Sequence, residues 1–331
     1  MVNPLDQLSE LLLVSAIVVY AIAFIAFAFD LARRSAEAQA VGAGSAAVRR
    51  DARAEQAGGV AVLVEAPPEA PASPGRRSPS ARAGMALMVI ALVLHAGAVV
   101  LRGVAAERVP WANMYEFSMT GTLVMVLVFL GVLTRIDLRF LGAVITGFVV
   151  LLLGIATVGF HVEVSPLQPA LQSYWLVLHV LVAILGTGFF TLAASLSAVQ
   201  LLQVRRERRS QDARPSRLKL LATVPDADRL ENLAYRISVV GFILWTFTLI
   251  AGAIWADHAW GRYWGWDTKE VWTFIIWVVY AGYLHARATL GWRGTGSAWL
   301  NLIGYASVLF NFGVVNVFFK GLHTYSGLPT S

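Results

Sequence analysis

Six histidines, eleven tryptophans and no cysteine bound the chemistry available to these 331 residues. Without cysteine, disulfides, thiolate-ligated metals and iron–sulfur clusters are excluded, so any iron must be held by imidazole or oxygen. The densest unusual segment is Trp260-Gly-Arg-Tyr-Trp264-Gly-Trp266-Asp-Thr-Lys-Glu-Val-Trp272, with four tryptophans and a tyrosine in thirteen residues. Tryptophans that mark a membrane interface are dispersed around a rim. A cluster in one loop instead makes a flat aromatic surface for a large planar ligand, and it equally suits a segment lying in the interface. Arg262 and Lys269 could meet carboxylates at the edge of such a ligand. Asp267 and Glu270 could orient those bases or cap the helix expected to start near 268.

His179 follows Trp175 by one helical turn and so shares its face, and His323 sits in Gly-Leu-His-Thr-Tyr. Two neutral imidazoles flanking an aromatic platform can ligate the iron of a haem from both sides. Each alone reads first as a hydrogen-bonded or interfacial histidine. His285 lies toward the inner end of an apolar run, where an ionisable residue is a functional candidate by default. His95 has the same claim at mid-depth, whereas His161 and His258 read as solvated outer-loop residues. The segment Pro110-Trp-Ala-Asn113-Met-Tyr-Glu116-Phe carries a turn and cap signature. Its Glu116 falls where a helix dipole favours a carboxylate.

The elements that position these groups follow from composition. With 57% hydrophobic residues, 14% charged residues and a mean hydropathy of +0.65, the chain is expected to be an all-α integral membrane protein. Its apolar runs are continuous rather than alternating, which excludes a β-barrel. Eight spans are expected, at about 11–30, 84–102, 117–134, 140–160, 174–203, 235–256, 270–288 and 296–319. Of the 26 lysines and arginines, 21 fall between spans on one side, in 33–82, 135–139, 205–236 and 287–293. Five fall on the other side: Arg102, Arg108, Arg262, Lys269 and Lys320. The richer side is read as cytoplasmic, which puts both termini and the tryptophan loop outside. The basic charge therefore reflects topology, not nucleic-acid binding. No Lys or Arg precedes the first span, so it reads as a helix rather than a secretory signal. The chain divides into an N-terminal transmembrane helix (1–32), a basic cytoplasmic linker (33–83) and a helical membrane domain (84–331) with its tryptophan loop at 258–272. The linker, rich in Ala, Arg, Pro, Gly and Ser, is expected to be disordered.

WGRYWGWDTKEVW resembles the tryptophan-rich WWD signature of haem-handling membrane proteins. From about 84 to 328 the chain resembles the CcsA/ResC branch, the system II cytochrome c biogenesis proteins called CcsB in some lineages. PWANMYEF, LQSYWLVLHV and NVFFKGLHTYSG are similar to that branch's flanking motifs. The resemblance implies that His179 and His323 are axial ligands of haem b at an outward site roofed by the loop. Trp260, Arg262, Trp264, Trp266, Asp267, Lys269, Trp272, Asn113 and Glu116 would surround that site. It also implies that His285 belongs to an inner haem site completed by a histidine of a ResB/Ccs1-like partner. The complex would be a cytochrome c haem lyase of the plasma membrane, its active face extracytoplasmic. It would join haem to the Cys-x-x-Cys-His thiols of apocytochrome c, with a thiol reductant protein as a further candidate partner. Thr268 departs from the family's usual WDPKE, where proline stands.

Two other functions stay open on the residues. A CcmC-like protein would deliver haem without synthase activity, but those chains have six spans. A respiratory proton or quinone subunit would use His95 and His285 as relays and leave the tryptophan cluster without a role.

Overall fold

In lipid, a run of about 20 apolar residues finds no outside partner for its amides and carbonyls, so its backbone pairs with itself as a helix. The computed structural model describes residues 3–56, 78–164, 171–211 and 218–323, with 41–56 as helical backbone alone. Among the described residues there is no strand, and eight long helices follow in order. They are α1 (Pro4–Gln56), α2 (Pro79–Ala105), α3 (Met114–Leu133), α4 (Gly142–Gly159), α5 (Tyr174–Gln211), α6 (Ala227–Trp260), α7 (Thr268–Thr289) and α8 (Thr295–Phe310). A π-helical turn at Asn311–Val315 carries α8 on to Phe318. Each expected span falls on one of these helices.

Seven of the eight are long and apolar enough to cross a membrane, and α7 is the exception. Its 22 residues rise about 33 Å at 1.5 Å each, enough for a hydrocarbon core of about 30 Å. Arg287 and His285, with smaller contributions from tryptophan and tyrosine, and not length, lower its hydropathy.

Local sequence sets the helix starts. Ser78, ahead of Pro79, accepts the Ala81 amide at 3.1 Å; Asn113 accepts that of Glu116 at 2.9 Å; and Asp226 accepts that of Arg229 at 2.8 Å. Each satisfies an amide that the first helical turn leaves without a partner.

The expected linker needs correction, because residues 33–56 are helical and continue α1 without a break. This stretch is rich in alanine, the strongest helix former, and holds no proline. Beyond the expected boundary at 32, the Ser35 hydroxyl donates to the Leu220 carbonyl at 2.6 Å. Gln39 Nε2 donates to the Lys219 carbonyl at 3.2 Å. The rest of the expected linker, 57–77, lies outside the described residues. Nor does α1 stand apart from the membrane domain. Its buried Leu13, Ala16, Tyr20 and Phe27 share one core with Met88 of α2, Val126 of α3 and Ile145 of α4.

A buried charge cluster fastens these helices together. Arg102 of α2 is fully buried. It donates from Nη1 to Asp6 at 2.7 Å, from Nε to Glu116 at 3.1 Å and from Nη2 to the Val162 carbonyl at 2.7 Å. Glu116 also accepts from Arg108 Nη1 at 2.6 Å and from the Ala112 amide at 3.0 Å. Charges withdrawn from water require this density of partners.

Candidate functional site

The tryptophan loop owes its shape to one glycine and two acids. Gly261 takes φ +68° just after α6, a left-handed conformation that glycine adopts without steric cost. The chain re-enters a helix through a reciprocal cap. Asp267 accepts the Lys269 amide at 3.2 Å, while Glu270 Oε2 accepts the amides of Asp267 at 3.1 Å and Gly265 at 2.8 Å. Arg262 Nη1 lies 3.6 Å from Glu270 Oε1 and its guanidinium sits over the Trp260 ring at 5.9 Å. Trp266 has φ +58° and is 78% exposed, a backbone conformation uncommon for any residue but glycine.

Beneath this loop lies a cavity of about 230 Å³. Some 10–15 Å³ suffices for one water, so this space is large enough for an organic ligand. His179 of α5 and His323 both line it, with Asn113, Trp264, Lys269 and Glu270. Residues separated by 144 positions in the chain thus face one space.

The two histidines are held alike. His179 Nδ1 lies 2.9 Å from the Thr248 carbonyl, and His323 Nδ1 lies 2.7 Å from Asp267 Oδ2. A carbonyl or carboxylate oxygen accepts, so each Nδ1 carries a proton, and in the neutral ring each Nε2 keeps its lone pair. Burial works against ionisation of Asp267. Hydrogen bonds from His323 and from the Lys269 and Leu322 amides outweigh it, holding the carboxyl below its usual range.

Trp255 of α6 joins the two rings. It is stacked with His179 at 5.9 Å and 15°, and stands edge-on to His323 at 5.5 Å. Trp260 packs on both Trp255 and His323, at 4.8 Å each. Gly252 clears the space for His179, since a Cβ there would lie 2.7 Å from the ring.

The remaining sequence candidates divide by place. Lys269 donates from Nζ to the Asn311 carbonyl at 3.2 Å and to Asn316 Oδ1 at 2.6 Å, which ties α7 to the π-helical turn. Trp272 packs on Phe310 at 4.3 Å, and Trp266 stands edge-on to Trp264 at 5.7 Å. Glu116 is taken up by its two arginines instead of facing the cavity. His285 is exposed toward the far end of α7, away from this cavity. His95 is fully buried with Nε2 on the Met119 carbonyl at 2.9 Å. His161 meets Glu10 at 2.6 Å. His258, expected in a loop, belongs to the last turn of α6, because that helix runs on to Gly261. Sequence spacing missed Trp255 and Gly252 as neighbours of the histidines, since neither differs in pattern from an ordinary residue of an apolar helix.

Among the described residues, no three His, Asp or Glu side chains gather as a metal cage. Two imidazoles facing one cavity suit a metal whose other positions are filled by its own ligand.

A family model described as cytochrome c assembly protein matches residues 111–323. The chain is 32% identical over 240 residues to the cytochrome c biogenesis protein CcsA of Guillardia theta, covering 69% of this chain and 80% of that protein. It is 33% identical over 260 residues to the CcsA of Prochlorococcus marinus, covering 72% of this chain and 82% of that one. Among solved structures, the fold is similar to cytochrome c haem lyase CcmF with a TM-score of 0.61 at 15% identity. That likeness covers 99% of this chain, which spans half the length of the CcmF chain. The matched region contains the tryptophan loop, both cavity histidines and the helices that carry them, and on this ground the chain belongs to the CcsA family of cytochrome c assembly proteins.

Proposed function

We propose that this membrane protein acts in cytochrome c maturation by holding haem b in the cavity between His179 and His323, on the outer face of the plasma membrane. There the haem is presented for covalent attachment to the Cys-x-x-Cys-His thiols of apocytochrome c. The observation that carries this reading is the matched pair of imidazoles, each with Nδ1 engaged and both lining one cavity. The residues lining the cavity fit haem: two imidazoles, aromatic walls from Trp255 and Trp264, and Lys269 on the same lining to meet a carboxylate edge.

Haem is the substrate, and it supplies the iron and the two vinyl groups. His179 and His323 hold the iron, the tryptophans shield the apolar faces, and Lys269 neutralises a carboxylate. In attachment, each substrate thiol adds across a vinyl group: a carbon–sulfur bond forms, the thiol proton goes to the other vinyl carbon, and no electrons are exchanged. The chain needs no nucleophile of its own, in keeping with its lack of cysteine. Its contribution is to fix reacting groups that would otherwise meet by chance. His285, exposed on α7, is the ligand of an inner haem site that a ResB/Ccs1-like partner completes, and the pair acts as the lyase.

The test is the reduced-minus-oxidised absorption spectrum of the detergent-purified protein, expressed with its ResB-like partner. Wild type is compared with the His179→Ala/His323→Ala double variant. A low-spin b-type spectrum that disappears or turns high-spin in the variant is expected. A wild type free of haem, in a host making it abundantly, overturns the reading.

A further inference from the structure

The two cavity histidines resemble one another in geometry but differ in what holds them. His179 donates to a neutral backbone carbonyl, that of Thr248, whereas His323 donates to the carboxylate of Asp267. Asp267 is itself fixed in place. Its Oδ2 accepts the Lys269 amide at 3.2 Å and its Oδ1 accepts the Leu322 amide at 3.1 Å. Gly321 lies so close that a Cβ there would collide with Oδ1. The helix cap of α7 and the backbone beside His323 therefore converge on one carboxylate. The side-chain exposures of His323 and Asp267 are 16% and 9%, so water screens their hydrogen bond little.

A carboxylate that accepts the distal N–H of a metal-bound imidazole draws the proton toward itself. The ring gains imidazolate character and becomes a stronger donor than one bonded to a carbonyl. Stronger donation favours the ferric ion over the ferrous, because the added electron density stabilises the higher charge. Building on the haem reading above, we infer that Asp267 is a positioning residue that makes the two ligands unequal, with His323 the stronger donor and the bound iron biased toward its ferric state.

The experiment is a spectroelectrochemical titration of full-length protein purified with its haem, comparing wild type with Asp267→Asn. The amide keeps the side chain's size and an acceptor oxygen but removes the charge. The midpoint potential is expected to rise in the variant, with ferric haem bound roughly 10-fold more weakly and ferrous haem affected less. If Asp267 serves only as a helix cap, both oxidation states lose affinity equally and the potential stays where it was. That outcome overturns the inference while leaving the haem reading intact. A wild type that binds no haem overturns both.

A second measurement avoids any loss of folding in Asp267→Asn. In His323→Ala, free imidazole retains an N–H that can donate to Asp267, whereas 1-methylimidazole has none. Restoration of the low-spin spectrum is expected at about 10-fold lower concentration of imidazole than of 1-methylimidazole. The two being equally effective would sink the inference.

Discussion

Two polar clusters meet water's absence differently at the tryptophan-loop end of this bundle. Around Arg102, opposite charges close on one another: two carboxylates and two guanidinium groups, with Glu116 bonded on both oxygens. Around the cavity, polar side chains line a shared space instead of closing on one another. Each histidine lines the space with its Nδ1 engaged, and Asn311 Oδ1 is buried without a hydrogen-bond partner. The first cluster is complete as it stands and fastens α1, α2 and α3. The second leaves the Asn311 acceptor unused beside a cavity. Charge at membrane depth is thus no guide to function by itself. What separates binding from bracing is whether the polar atoms are already used.

The sharpest way to break this comparison is to open the closed cluster. Arg102→Met leaves Asp6 and Glu116 buried without their partner, and a loss of about 3–5 kcal/mol is expected. It is read as a large fall in thermal stability by fluorescence-detected size exclusion. A variant with unchanged stability but impaired haem binding would reverse the roles of the two clusters. The converse experiment is His179→Ala or His323→Ala. Each should abolish holocytochrome c formation, restored by added imidazole, with the apoprotein's melting temperature nearly unchanged. Normal maturation in both single variants and in the double variant would remove them as ligands.

A smaller effect is expected from Gly252→Ala, whose new methyl must displace the His179 ring. Overpacking of this kind costs about 1–3 kcal/mol, and here it should also convert part of the low-spin spectrum to high-spin. The same spectral change should not follow Gly154→Ala, because a Cβ there meets nothing within 4 Å.

The smallest effect concerns acid. Asp267 is held below its usual range, so it contributes stability that is present above the unfolded value of about 3.9. That contribution is lost as pH falls through the lowered folded value. Wild type should therefore lose melting temperature below about pH 4 more steeply than Asp267→Asn. Equal slopes would show that the Asp267 carboxylate adds nothing to the apoprotein.

The membrane spans were legible because a helix in lipid must be continuously apolar, and that pattern is written one residue after another. The tryptophan loop and the two histidines were legible for a different reason: their side chains are too unusual to be filler. Trp255 and Gly252 were not, since their role depends on α5 lying against α6, a contact no single segment encodes. Glu116 shows the opposite failure. Its place at a helix start was read correctly, but a dipole argument cannot say that Arg102, fourteen positions earlier, and Arg108 would take both its oxygens. The length of α1 was misjudged because a composition that cannot build a core can still form a helix, and here that helix finds the 218–221 segment to lean on.

The π-helical turn at Asn311–Val315 carries one more consequence. A turn widened by one residue shifts the phase of everything downstream by about 100° relative to a regular α-helix. Asn316, which meets Lys269, and the chain leading to His323 both lie beyond it. A regular α-helix of the same length through 311–315 would rotate that segment off its marks, without removing any side chain that touches the cavity. The frame of α8, counted in residues, is therefore as much a part of the site as the histidine it delivers.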